Sequence, residues 1–188
     1  MKVSFIRKSG PEYMIPAMRA TTGKDMKTLK RPTLETWYKM LISGHSSPRA
    51  VEYRVFCEDV PYFVHVHFAR HHVGVQFHVK SQRSVELRED LPQGTLIDFF
   101  FDANPQALIN IARARLCFNA DEQAQSLVKK LKCSLVYEGD EYDKVLGNLL
   151  MKPCSWYRGF CAEVKSCGRV ANITQLSEIH YQALEKEV

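Results

Sequence analysis

Several absences narrow this chain before any motif does. No stretch of its 188 residues approaches the length of a membrane-spanning helix. The N-terminus, MKVSFIRKSG, carries charges where a secretory signal needs its apolar run. A cytoplasmic location, with no membrane partner, is the expectation. A P-loop and a G-x-G-x-x-G turn are both missing, which argues against the usual Gly-rich nucleotide sites. The six cysteines never form the C-x-x-C pair of zinc ribbons and fingers. In a reducing compartment they are expected as thiols or metal ligands rather than disulfides. The chain has no internal repeat and no low-complexity segment, and nothing positions a Ser-His-Asp triad. A net charge of +5 favours anionic ligands but lacks the clustered basic signal of a nucleic-acid binder, so nucleic acid is not an expected partner.

What is present suits one domain spanning residues 1–188, long enough to bury a real core. MKVSFI reads as a short first strand, and the basic stretch that follows, to about Arg31, as a loop or broken helix. Pro32 and Thr33 open a helix in which Leu34, Trp37, Met40 and Leu41 recur at helical spacing, with Gly44 placed as a C-terminal cap. Val51, Tyr53, Val55 and Cys57 alternate with polar residues as in a half-buried strand. The segment after Pro61 is two-sided: FVHVHF alternates like a strand, yet Pro61 equally suits the start of a helix. Asn104 followed by Pro105 predicts a capped helix over 105–118, with Leu108, Ile111, Ala112 and Arg115 on one face. Further helices are predicted over 120–135, 140–151 and 174–188, with a Cys-containing tail, 153–168, before the last. The expected fold class is α+β: a helix-rich single domain with a small antiparallel or mixed sheet.

The chemistry concentrates between Gly44 and Arg83. Six of the seven histidines lie there, with an Arg70-His71-His72 triplet and, shortly after it, Ser81-Gln82-Arg83. Imidazole changes charge near neutral pH, and guanidinium offers a planar, permanently charged fork for phosphate or a carbonyl-rich ring edge. Such a segment can grip an anion, stack on a planar ring or bind a metal. If 61–72 is helical, His67 and His71 stand one turn apart as zinc ligands often do; if it is a strand, His65 and His67 share a face. Each histidine or arginine taken singly also fits a hydrogen-bonded core group or a surface ion pair. Cys154, Cys161 and Cys167, with Cys133 as a fourth sulfur, form a loose metal-ligand pattern or simply a set of packed thiols.

Together these elements resemble the flavin-dependent thymidylate synthases. GHSSP, then VPYFVHVHFARHH, then SQR, follow that family's order, and the His45 to Arg70 spacing fits without a gap. NPQALINIARARLCFNAD supplies a second match through Asn104, Asn110, Arg115 and Ala120-Asp121, and PCSWYRGFCAEVKSCG is similar to Cys-rich tails of some bacterial members. The likeness runs from about Gly44 to Gly168.

The resemblance implies an α+β homotetramer holding FAD between subunits, with NADPH giving hydride to the flavin. The expected product is dTMP, made from dUMP with methylene-tetrahydrofolate as carbon donor. It further implies that 61–72 is a helix, and that Arg70, His71 and His72 face the flavin with His45, Ser47, Asn104 and Asn110 as further contacts. Ser81, Arg83 and Arg115 would bind the nucleotide, Ser81 and Arg115 being the catalytic candidates. No metal is implied. The chain departs from the family at several of these places. His72 replaces an Arg, which keeps a donor but loses the permanent fork. His67 replaces a Gln, Ser46 an acidic residue and Ala50-Val51 a Glu-His, and the gap from triplet to Ser81 is one residue longer. Two other classes stay open: a relative that binds flavin or nucleotide without methyl transfer, and a metalloprotein using the His cluster or the Cys tail.

Overall fold

The computed structural model describes residues 1–80 and 91–172. Four strands, β1 (Lys2–Arg7), β2 (Tyr53–Pro61), β3 (Val75–Val79) and β4 (Leu96–Ala103), form one antiparallel sheet in the order β1-β2-β4-β3. Of the two sheet types expected, antiparallel is the one formed. Register puts Phe5, Val55, Phe101 and Phe77 in one cross-strand row facing the core. The next row, Ser4, Phe56, Phe100 and His78, faces the other way, as period-two alternation requires. Asp59, at φ +53, bulges β2, and its N–H donates to Asp98 Oδ1 at 3.1 Å.

Seven helices accompany the sheet among the described residues: α1 (Met14–Ala20), α2 (Leu34–Ile42), α3 (Tyr62–Ala69), α4 (Pro105–Arg115), α5 (Glu122–Tyr137), α6 (Glu141–Leu149) and α7 (Pro153–Trp156). Their starts follow from local chemistry. Thr33, Asn104, Asp121 and Asp140 each accept a backbone N–H of the first turn, and Asp140 with Asp143 completes a capping box. The two-sided segment is a helix, but a shorter one than the resemblance implied. α3 ends at Ala69, leaving Arg70 as its cap and His71 and His72 in the turn beyond. Pro61 closes β2 and serves as the N-cap, since its missing N–H is one a helix start leaves unpaired anyway. The helix predicted over 174–188 lies outside the described residues.

Trp37, Leu41, Tyr53, Val64, Phe68, Phe101, Leu108, Leu127 and Leu135 belong to one buried core. A polar knot ties the sheet edge to α6. Arg7 donates twice to Asp140 (2.9 and 2.6 Å) and once to Asp143 (2.7 Å), and Tyr53 OH donates to Asp143 at 2.8 Å. The Arg7 guanidinium holds the Asp140 carboxyl well below the usual carboxylate range. Trp37 Nε1 donates to Tyr142 O at 3.1 Å and Tyr142 OH to Pro32 O at 2.6 Å, fastening α2 to the same helix. α5 and α6 touch closely because Gly147 has no side chain: a Cβ there would stand 2.8 Å from Val136 Cγ2 and 3.0 Å from Leu135 Cβ.

Candidate functional site

The connection leaving α3 runs beside α4. At its near end, His71 N–H donates to Phe68 O at 2.8 Å, and Arg115, the last residue of α4, meets both His67 and His71. Arg115 Nη2 donates to His67 O at 2.7 Å, placing a cation at the carbonyl end of α3 where the helix dipole favours it. Arg115 Nε donates to His71 Nε2 at 3.0 Å. A guanidinium nitrogen can only donate, so His71 Nε2 is unprotonated and the ring's proton sits on Nδ1. Burial first, then the charges of Arg115 and His72, push the His71 pKa down to about 4. Arg115 is itself lowered by burial and by nearby Arg70. Arg70 is exposed and has no acidic partner among the described residues. The result is a cationic patch around a histidine kept neutral. His72 Nδ1 donates to the carbonyl of Arg70 at 3.2 Å, so that N–H is already engaged within the turn.

At the far end of the same connection, Gly74 takes φ +72 and turns the chain into β3. Asn104 N–H donates to Gly74 O at 3.2 Å, and the Asn104 side chain lies where a Gly74 Cβ would be, 2.4 Å from its Nδ2. Residues 71–74 therefore lie alongside α4 from Arg115 to Asn104, a helix about 16 Å long at 1.5 Å per residue. Asn104 Oδ1 caps α4 by accepting from Ala107 N at 2.9 Å. It also lines a cavity of about 480 Å³ with Gly74, Gln76, Arg49, Glu52 and Asp102. Asp102 accepts Arg54 through both oxygens at 2.7 Å and Lys8 at 3.1 Å, and the Arg54 bonds hold its pKa at about 2.

The remaining expected residues divide. Gly44 at φ +67 ends α2 and turns His45 towards Ser47, whose N–H donates to His45 Nδ1 at 3.2 Å with its hydroxyl at 2.9 Å. Ser47 is buried, so its role here is to orient His45. Its short 3₁₀ turn, Ser47–Ala50, packs on α4 and lines the Asn104 cavity through Ala50. Asn110 is not brought to this group. It is exposed, accepts from Gln106 Nε2 at 3.3 Å, and lies about 140° around α4 from Arg115. It lines a separate cavity of about 370 Å³ with Arg113, Tyr157 and Glu163. Ser81 and Arg83 lie outside the described residues.

The metal pattern does not form in the histidines. His71 is outside the helix that would have aligned it with His67, and among the described residues no three His, Cys, Asp or Glu side chains are arranged to hold a metal ion. His65 instead packs its ring 4.9 Å from Phe99 and 5.8 Å from Phe77, with neither nitrogen hydrogen-bonded. The sequence reading missed Asp102 and Gln76 as cavity-lining groups. The alternation of Asp98, Phe100 and Asp102 against Ile97, Phe99 and Phe101 was the available signal for β4. No helix among the described residues is long and apolar enough to cross a membrane.

No family model and no curated protein matches the chain. Solved structures do match its fold. Thymidylate synthase ThyX from Helicobacter pylori, crystallised with FAD and dUMP, aligns at TM-score 0.65 and 15% identity, over 80% of this chain and 99% of that one. A second structure of that enzyme, also with FAD and dUMP, gives 0.63, 16%, 81% and 100%. The UMP/dUMP methylase PolB from Streptomyces cacaoi, bound with 5-Br dUMP, gives 0.59 and 12%, over 79% and 93%. The chain thus has the α+β fold of these structures, across nearly the whole of each neighbour.

Proposed function

We propose that the chain is a flavin-dependent enzyme acting on a uridine nucleotide, methylating dUMP to dTMP with methylene-tetrahydrofolate as carbon donor. The reading rests chiefly on one observation. Within a fold shared with FAD- and dUMP-bound structures, Arg115 and the Arg70-His71-His72 turn form one contiguous cationic patch.

The residues present fit a planar, electron-rich cofactor. Arg70 is free to donate to an anionic ring edge. His71, held neutral with its proton on Nδ1, offers one defined donor at a site where a third cation would repel Arg70 and Arg115. FAD, when bound, would carry hydride from NADPH towards the nucleotide, chemistry that belongs to the cofactor. His45, oriented by Ser47, and Asn104 would complete the contacts, with Asn110 facing a flavin shared with a neighbouring subunit of a homotetramer. Arg115 uses two of its five N–H groups on His71 and His67, leaving three for a uracil carbonyl, where they would stabilise charge developing on oxygen. Ser81 and Arg83 are assigned to the phosphate.

One observation favours a second reading, a flavin- or nucleotide-binding relative without methyl transfer. His72 stands where the resembled family has Arg, and its Nδ1–H is turned back onto the Arg70 carbonyl.

The test is the visible spectrum of the chain reconstituted with FAD and desalted, before and after dUMP, followed by tritium release from labelled dUMP with NADPH and methylene-tetrahydrofolate. We expect a retained flavin band perturbed by dUMP, then turnover. Retained flavin without tritium release selects the second reading; no retained flavin overturns the first, and failure to bind dUMP as well overturns both.

A further inference from the structure

The proposed function leaves the cysteines unused, yet the tail that carries three of the six folds back onto the end of α4. The loop that follows α4 is held to that tail at two points. Asn119 Nδ2 donates to the carbonyl of Lys165 at 2.7 Å, and the Arg169 guanidinium lies 3.7 Å from the centre of the Phe118 ring. Those clips flank Cys167 by two residues on either side, and on the α4 side they begin one residue past Cys117. The two segments therefore lie together with Cys117 and Cys167 at their crossing.

The electrostatics agree with that placement. Burial raises the Cys117 pKa most, an Asn119 N–H bond opposes it, and the nearby charges of Glu163, Cys167 and Cys161 raise it further, in that order. Cys161 differs from the other two thiols. It is buried and bridged to Asn172, with its backbone N–H donated to Ala171 O at 2.8 Å, while Cys117 and Cys167 are both partly exposed. Because no trio of donors stands ready for a metal among the described residues, the arrangement favours pairwise sulfur chemistry over coordination.

We propose that Cys117 and Cys167 are a reversible dithiol–disulfide pair that fastens the tail across the end of α4, two residues from Arg115. This stands independently of the flavin reading. With a small-molecule disulfide such as oxidised glutathione, one cysteine thiolate attacks a sulfur of that S–S bond and releases a glutathione thiolate, leaving a mixed disulfide. The second cysteine thiolate attacks the protein sulfur of that intermediate and releases the other glutathione. The two cysteine sulfurs lose two electrons to the small disulfide, and their two protons leave with the released thiols. A raised Cys117 pKa makes the exchange slow at neutral pH and faster as pH rises.

The experiment equilibrates the full chain in mixtures of oxidised and reduced glutathione, quenches it by alkylation and maps peptides without reduction. A peptide joining residues 117 and 167 is expected, increasing with the oxidised fraction, reversed by dithiothreitol, and formed roughly tenfold faster per pH unit below the thiol pKa. Cys117→Ser and Cys167→Ser should each abolish it, and Cys133→Ser should not. Glutathione adducts on both cysteines without a cross-link would overturn the proposal, as would a cross-link through Cys161. Stoichiometric zinc that shields Cys117, Cys161 and Cys167 from alkylation until chelation would overturn it in favour of a coordination site.

Discussion

Replacing Arg115 with alanine separates the two things that residue does. It removes a 2.7 Å bond to the His67 carbonyl and a 3.0 Å bond to His71 Nε2. Hydrogen bonds from a charged donor contribute about 1.5–3 kcal/mol each. Both acceptors, His67 in the last turn of α3 and His71 just beyond it, are half-buried and within reach of water, so a combined loss of about 2 kcal/mol is expected. The pH dependence is more diagnostic. His71 is held at about 4 in the folded chain against an ordinary 6.5, so the unfolded chain binds its proton first as pH falls. Stability is then unaffected above pH 6.5 and declines between about 6.5 and 4. Fully buried, a gap of about 2.5 units would correspond to about 3.4 kcal/mol; with the ring half-buried we expect about 1 kcal/mol. Without the Arg115 charge the His71 pKa should rise towards its ordinary value, though not fully, since burial is the larger cause. Histidine NMR titrations and urea melts at pH 7.5 and 5 read both effects. Unchanged nucleotide affinity in the variant would remove Arg115 from the nucleotide site. A His71 that titrates normally in the parent chain would refute the electrostatic argument altogether.

Other substitutions probe the frame around the site. His65→Phe should stabilise the chain by about 1 kcal/mol in thermal melts, because neither imidazole nitrogen has a hydrogen-bond partner and the ring already sits among Phe99, Phe77 and Tyr62; a loss of stability would mean the nitrogens are satisfied. Gly147→Ala should cost about 1–3 kcal/mol, since its Cβ meets Val136 and Leu135 on α5, and a neutral result would show that the α5–α6 contact yields easily. Arg7→Ala should cost about 3–5 kcal/mol in denaturant unfolding by leaving the buried Asp143 carboxylate without its cation, and Asp143→Asn in the same background should recover part of that.

The features legible in the sequence are those whose causes lie within a few residues. Thr33, Asn104-Pro105, Asp121 and Asp140 announce helix starts because a cap and the N–H it accepts are two or three residues apart. The order GHSSP, triplet and Asn104 to Arg115 led to the fold class for the same reason: each motif is short and the motifs follow one another. Tertiary structure decided what depends on distant partners. β3 forms because it pairs with β4, not because it is strongly periodic alone. α3 stops at Ala69, and Gly74 turns the following chain back past α4, so the triplet lies in a turn rather than on a helical face. Asn110 and Arg115, five residues apart, are sent to different flanks of α4 by the helical period once the neighbours of that helix are set. Arg115 meets His71 across 44 residues and Asn119 meets Lys165 across 46. The Cys117–Cys167 crossing has the same origin, because burial and loop closure bring together groups whose separation no local pattern encodes.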